Sequence, residues 1–108
     1  MQLTLADIHF DHLIKTKEDA LTHIVGILTD AGHTQPAYLQ GMRDREEQIS
    51  TYLGNGMAIP HGTPQSRDAV LKTGVKVLAC PQGVDWGEAQ TAYLIVGIAA
   101  QDNEHLDI

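Results

Sequence analysis

The run "AYLIVGIAA", residues 92–100, constrains the fold more than any other stretch of the chain. It is continuously apolar and bounded by polar residues, whereas a strand with one face in water would alternate apolar and polar side chains. It is also much shorter than the ~18 residues of a membrane-spanning helix. The run therefore predicts a central strand covered on both faces, and we expect helices on both sides of a sheet.

A first amphipathic helix is predicted over residues 17–31. Thr16 is a suitable N-cap, Glu18 and Asp19 lie in the first turn, and Gly32 stands where a C-terminal cap would. The apolar residues recur at helical spacing. They are Leu21, Ile24, Val25 and Leu28.

A second helix is predicted to begin at Pro36 and to end near Ile49, since proline is favoured at the first helical position. At ~100° per residue, Tyr38, Met42 and Ile49 form a narrow apolar stripe. Arg45 falls in the middle of that stripe rather than on the wet side. A guanidinium on an inward face needs a partner.

Two further strands are predicted. Part of residues 8–15 is apolar without a helical period, and residues 74–79 alternate as a strand does before Pro81 and Gly83 end it. Residues 102–103 can cap a helix that has only begun when the sequence ends. The mixture of helices and strands predicts an α/β fold.

Composition narrows the function classes. A chain of 108 residues suits one domain, and its net charge of −7 disfavours nucleic acid and anionic membranes as partners. A single cysteine, Cys80, excludes an internal disulfide and suits a reducing compartment. With no signal peptide or membrane span in the sequence, we expect a cytoplasmic protein.

The segment "LGNGMAIPHGTP", residues 53–64, holds His61 between Pro60 and Gly62. Glycine allows another molecule to approach the backbone, and prolines restrict the loop, so we expect the ring to be presented rather than packed away. A neutral imidazole can attack an electrophile without a separate base. If that electrophile is a phosphoryl group, Arg45 could neutralise its oxygens, and His105 at a helix N-terminus could add a further N–H.

Other interpretations of these residues remain open. His61 can be an incidental loop histidine, and Arg45 can pair with Asp44 or Glu46. The sequence "HFDH" gives His9 and His12 a spacing at which only a helix would let both bind one metal ion. Cys80, with no cationic neighbour in sequence, fits a core residue better than a nucleophile.

Four motifs together resemble one protein family. "STYLGNGMAIPHGT", "MRDRE", "LIVGIAA" and "DNEHL" are similar in order and spacing to the IIA domain of the bacterial sugar phosphotransferase system, mannitol/fructose class. The sequences "TYLGNG" and "DNEHL" favour the mannitol type, although Asn55 stands where mannitol-type members carry glutamate and fructose-type members tend to have asparagine. The resemblance implies a three-layer α/β/α sandwich around a mixed β-sheet.

The same resemblance implies a phosphotransferase with a phosphohistidine intermediate. His61 corresponds to the phosphorylated histidine, Arg45 to the arginine of "DRE" and His105 to the histidine of "EHL". The carrier HPr would donate the phosphoryl group, a IIB cysteine would accept it, and no metal or organic cofactor is needed. Family domains continue for several helical turns after "EHL", so residues 1–108 are expected to be one IIA-type domain lacking its C-terminal helices. An alternative is a regulatory module in which phosphorylation of His61 controls a transcription factor or transporter.

Overall fold

A computed structural model describes residues 3–101, which fold around one mixed sheet of five strands in the order β1-β4-β5-β3-β2. Strands β1 and β3 run parallel to their neighbours β4 and β5, while β4–β5 and β2–β3 are antiparallel. The strands are β1 (Ile8–Phe10), β2 (Tyr52–Gly54), β3 (Met57–Ala58), β4 (Gly74–Gly87) and β5 (Gln90–Ala99). The helices are α1 (Lys17–Asp30) and α2 (Tyr38–Gln48), with 3₁₀ turns at Leu5–Asp7 and Pro64–Ala69. The predicted α/β sandwich on a mixed sheet is confirmed.

Helix α1 begins and ends as its sequence predicts. The Thr16 hydroxyl accepts the N–H of Asp19, which caps the first turn. At the other end Gly32 adopts φ 82°, its N–H donates to the Thr29 carbonyl, and the following N–H, of His33, donates to Leu28. These two bonds are those of a Schellman cap, which glycine favours because it has no Cβ. Within the part of the chain that the structure describes, no helix is long and apolar enough to span a bilayer.

The core lies between α1 and the sheet. A Cβ on Gly97 of β5 would lie 2.3 Å from the Ile24 side chain, so the glycine lets α1 approach the strand closely. Ile95 and Ala99 flank Gly97 on the same face and are fully buried, whereas Leu94 on the opposite face is 39% exposed. The prediction that β5 is a central strand is therefore confirmed. The strand is fully buried on the α1 side at Ile95 and Ala99, and on the opposite side Ile98 is buried while Leu94 is not.

The predicted end of β4 at Pro81 and Gly83 is wrong. The strand continues to Gly87, and its pairing with β5 shifts register between Ala79 and Val84 and again between Asp85 and Gly87. Proline cannot donate to a ladder, but here it falls within the irregular part, where Gly83 also turns the backbone at φ 85°. Pro81 and Gly83 therefore lie in a bulge within the strand and do not end it.

Candidate functional site

A tight hairpin delivers the histidine segment to the sheet. Strands β2 and β3 are joined by Asn55 and Gly56, both in the left-handed region at φ 54° and 80°. Asn-Gly is the preferred sequence for such a two-residue turn, because both residues tolerate positive φ. The positive φ required in this turn is therefore a local reason for asparagine at position 55. The turn sets β3 parallel to β5 and directs the chain towards His61.

His61 adds one more rung beside β5. It pairs with Ile98, whose N–H donates to the Pro60 carbonyl at 3.0 Å. The Nδ1 atom of the His61 ring lies 2.8 Å from the Ile59 carbonyl oxygen. A carbonyl only accepts hydrogen bonds, so Nδ1 carries the proton. In the neutral ring the lone pair is therefore on Nε2, the nitrogen far from the backbone.

The expectation that the His61 ring stands in the open is wrong. The residue is only 9% exposed. The cause is tertiary: pairing with β5 draws the segment into the sheet, and the 3₁₀ turn that follows is packed on α2. The Nδ1 contact nevertheless turns the opposite edge of the ring, with Nε2, away from its own backbone.

The peptide after His61 is fixed by Tyr38, a side chain that the sequence motifs did not mark as part of the site. The Tyr38 hydroxyl, on the first residue of α2, accepts the N–H of Gly62 and donates to the Ile98 carbonyl, each at 2.8 Å. Tyr38 is 2% exposed, and burial raises the pKa of its phenol above the ordinary value. The signal in the sequence was its position on the inward stripe of the second predicted helix.

The apolar stripe predicted around Arg45 is shorter than expected, because the helix ends before Ile49. Helix α2 begins two residues after Pro36, which lies in the preceding turn, and ends at Gln48. Ile49 adopts extended backbone and is 67% exposed, so its predicted inward position is wrong. Arg45 is half-buried, and its Nη1 donates to the Ile49 carbonyl at 2.6 Å. The guanidinium thus binds the C-terminal end of its own helix, where a cation is favoured.

Glu46 connects this helix end to the histidine segment. Its carboxylate accepts both the backbone N–H and the hydroxyl of Thr51 and lies 2.8 Å from the Lys17 ammonium group. The Thr51 carbonyl accepts the N–H of Ile59, the residue whose own carbonyl holds the His61 ring. Glu46 is therefore engaged by other groups than Arg45. The alternative in which Arg45 pairs with Glu46 is therefore not the arrangement in the structure, where Arg45 binds the Ile49 carbonyl.

The comparisons with known proteins agree with this architecture. Residues 1–108 match the family described as "Phosphoenolpyruvate-dependent sugar phosphotransferase system, EIIA 2". The chain belongs to this family. The IIA domain is 52% identical over 107 residues to a multiphosphoryl transfer protein of Salmonella typhi, and the match covers 99% of this chain. It spans only 28% of the length of that relative.

Two solved structures resemble this IIA domain closely. The crystal structure of IIA mannitol from Escherichia coli matches with a TM-score of 0.90 and 41% identity, over 99% of this chain and 77% of that one. The complex of enzyme IIAMTL with phosphorylated enzyme IIBMTL, also from Escherichia coli, matches with a TM-score of 0.90 and 41% identity over 98% and 75% of the two chains. The resemblance to IIA domains of the mannitol type is thereby confirmed.

The remaining candidate residues of the IIA domain have different outcomes. His105 lies in residues 102–108, outside the part that the structure describes. Among residues 3–101, no group of three or more His, Cys, Asp or Glu side chains is placed to hold a metal ion, and this includes His9 and His12. Cys80 is fully buried, and burial raises the pKa of its thiol, so its interpretation as a core residue is confirmed.

Proposed function

We propose that this IIA domain carries a phosphoryl group on Nε2 of His61 in the cytoplasm. The group would come from the phosphohistidine of HPr and pass to a cysteine of the IIB domain of a mannitol transport system. The observation that carries the proposal is the 2.8 Å contact from His61 Nδ1 to the Ile59 carbonyl. It supports a proton on Nδ1 and therefore Nε2 as the nitrogen that would act as nucleophile.

The chemistry balances without an added base. The Nε2 lone pair attacks phosphorus, a new N–P bond forms, and the electron pair of the donor's N–P bond returns to the donor ring. The His61 ring keeps its Nδ1 proton and becomes positively charged, and the Ile59 carbonyl dipole stabilises that charge. In the second transfer a thiolate attacks phosphorus, an S–P bond forms, and the electron pair returns to Nε2.

Arg45 and His105 are proposed to stabilise the negative phosphoryl oxygens. A guanidinium has five N–H donors, of which the Ile49 carbonyl uses one on Arg45, so the others are compatible with a bidentate contact to phosphate. Loss of one such donor slows transfer by roughly 10²-fold or more. Arg45→Gln should therefore reduce the rate of transfer while leaving His61 available as the attachment point.

The proposed partners fit the charge of the domain. A net charge of −7 favours a partner with a basic contact surface, and charge complementarity accelerates encounter more than it strengthens the complex. That property suits a carrier that must release both donor and acceptor. The assignment of a IIB acceptor and of mannitol is supported by the IIAMTL–IIBMTL complex that this domain resembles.

Labelling with radioactive phosphoenolpyruvate, enzyme I and HPr tests the proposal. Acid-labile, base-stable phosphate should appear on the wild type and on His23→Ala, a half-exposed histidine of α1, and should be absent from His61→Ala. Nuclear magnetic resonance of ¹⁵N-histidine should place the phosphorus on Nε2. Equal labelling of His61→Ala, or phosphate on Nδ1, would contradict the proposal. Labelling of His61 without transfer to a IIB cysteine would instead favour the regulatory alternative.

A further inference from the structure

We infer that Tyr38 is a positioning residue for His61, because its hydroxyl is inserted into the rung of the sheet that carries the histidine. This inference rests on the proposed function and adds to it a side chain that does not touch the phosphoryl group. It accounts for a buried hydroxyl that bonds two main-chain groups, one in the segment after His61 and one in β5.

The bonding pattern around His61 shows the insertion. In a parallel ladder, the residue opposite His61 donates its N–H to residue 60 and accepts an N–H from residue 62. The first bond is present, from the Ile98 N–H to the Pro60 carbonyl. At the place of the second bond, the Gly62 N–H donates to the Tyr38 hydroxyl, which in turn donates to the Ile98 carbonyl. The hydroxyl therefore sets the spacing between the histidine segment and β5.

The inserted hydroxyl fixes where the ring can be. His61 lies between two anchored peptides: Pro60 is bound directly to β5, and Gly62 is bound through Tyr38. Without the hydroxyl, the Gly62 N–H and the Ile98 carbonyl would close on each other or admit water. Either change shifts the backbone that carries the ring. An error of about 1 Å in a reacting group can lower a rate by roughly 10²-fold.

The bridge requires a neutral phenol, since only the protonated oxygen can donate to Ile98 while it accepts from Gly62. Burial raises the pKa of Tyr38 above its ordinary value of 10.0, so the hydroxyl keeps its proton at physiological pH. No other ionisable group is needed to maintain the bridge. The Tyr38 bridge is therefore present throughout the neutral pH range and does not switch with pH.

The chain itself supplies a matched control. The Tyr52 hydroxyl forms the same kind of bridge, accepting the N–H of Gly56 and donating to the Thr91 carbonyl, each at 3.0 Å. Thr91 lies near the start of β5, whereas Ile98 lies near its end, so the second bridge is remote from His61. Tyr52→Phe removes a hydroxyl with the same donor and acceptor roles from a half-buried residue of the same sheet, whose partners are Gly56 and Thr91 rather than the groups that flank His61.

The experiment compares single-turnover transfer from saturating phospho-HPr in the wild type, Tyr38→Phe and Tyr52→Phe. We expect the rate for Tyr38→Phe to fall roughly 10- to 100-fold. HPr affinity should stay within about twofold, and the rate for Tyr52→Phe should match the wild type. The ¹⁵N resonances of His61 should change only in Tyr38→Phe, which a general loss of stability would not produce. An unlabelled wild type would refute the proposed function rather than this inference.

Two outcomes would overturn the positioning role. One is transfer by Tyr38→Phe at the wild-type rate with unchanged His61 resonances, while the wild type is labelled. The other is equal slowing in both variants, which would indicate general damage to the sheet. If Tyr38→Phe does not fold, a fluorinated tyrosine introduced at position 38 keeps the ring and lowers the phenol pKa. Transfer should then decline as the pH rises through that pKa, and a flat profile would refute the inference.

Discussion

Ser66 lies between two glycines that bring α2 and the histidine turn together, and we expect it to decide which of them tolerates a side chain. A Cβ on Gly41 would lie 2.3 Å from Ser66 Cβ and 2.4 Å from its Oγ. A Cβ on Gly62 would lie 2.3 Å from Ser66 Oγ and 2.6 Å from Cε1 of Tyr38. Ser66→Gly therefore removes every close contact for Gly41→Ala but only one of two for Gly62→Ala.

The size of the effect follows from two opposing contributions. Overpacking of this kind costs about 1–3 kcal/mol, while alanine is favoured over glycine inside a helix by about 1 kcal/mol. Gly41→Ala alone should therefore range from neutral to about 2 kcal/mol destabilising. In the Ser66→Gly background the nearest remaining atom is Cα of Gly62 at 3.7 Å, an ordinary contact, so the same change should stabilise by about 1 kcal/mol. The expected coupling energy is about 1–3 kcal/mol.

Urea unfolding of the four proteins of this double-mutant cycle, followed through the buried Trp86, measures the coupling. A parallel cycle with Gly62→Ala should show only partial rescue, because the ring of Tyr38 is held by two hydrogen bonds and cannot retreat. Additivity of Gly41→Ala and Ser66→Gly within about 0.5 kcal/mol would refute the reasoning. Full rescue of Gly62→Ala would show that Tyr38 is not rigid.

Two further predictions concern stability. The β4–β5 turn places Glu88 and Ala89 at φ 55° and 60°, so Ala89→Gly should relieve left-handed strain. We expect the free energy of unfolding to rise by about 0.5–1 kcal/mol and Tm by about 2–6 °C. An unchanged or lower Tm would contradict this. The hydrogen bond from Lys76 Nζ, 2.6 Å long, together with that from the Thr4 N–H, lowers the pKa of the Asp7 carboxyl from 3.8 to about 2. Because the folded pKa is depressed, its stabilisation is present above pH 4 and is lost as the pH falls towards about 2. Acid titration of unfolding should therefore show Asp7→Asn less stable than the wild type at pH 7, with the difference disappearing near pH 2; a constant difference would refute it.

The sequence predicted best where structure is decided locally. The limits of α1 follow from the Thr16 cap and the Gly32 turn, both of which act within a few residues along the chain. The central position of β5 followed from its uninterrupted apolar run. Local rules failed for β4, where the partner strand keeps the pairing going across Pro81 through a bulge.

The candidate site shows the same division. The sequence selected His61 and Arg45 as chemically suitable residues, and the family resemblance gave them roles. It could not specify that pairing with Ile98 would bury His61, or that the ring would donate from Nδ1 to Ile59.

What the sequence by itself determined is therefore the two caps of α1, the central strand and the residue types available for phosphotransfer. The tertiary structure alone decided the burial of the histidine ring, its tautomer, and the insertion of the Tyr38 hydroxyl between Gly62 and Ile98. The physical reason is distance along the chain. Caps and turns are satisfied by neighbours in sequence, whereas Tyr38 and Ile98 are 60 residues apart and meet only when the sheet and α2 pack together.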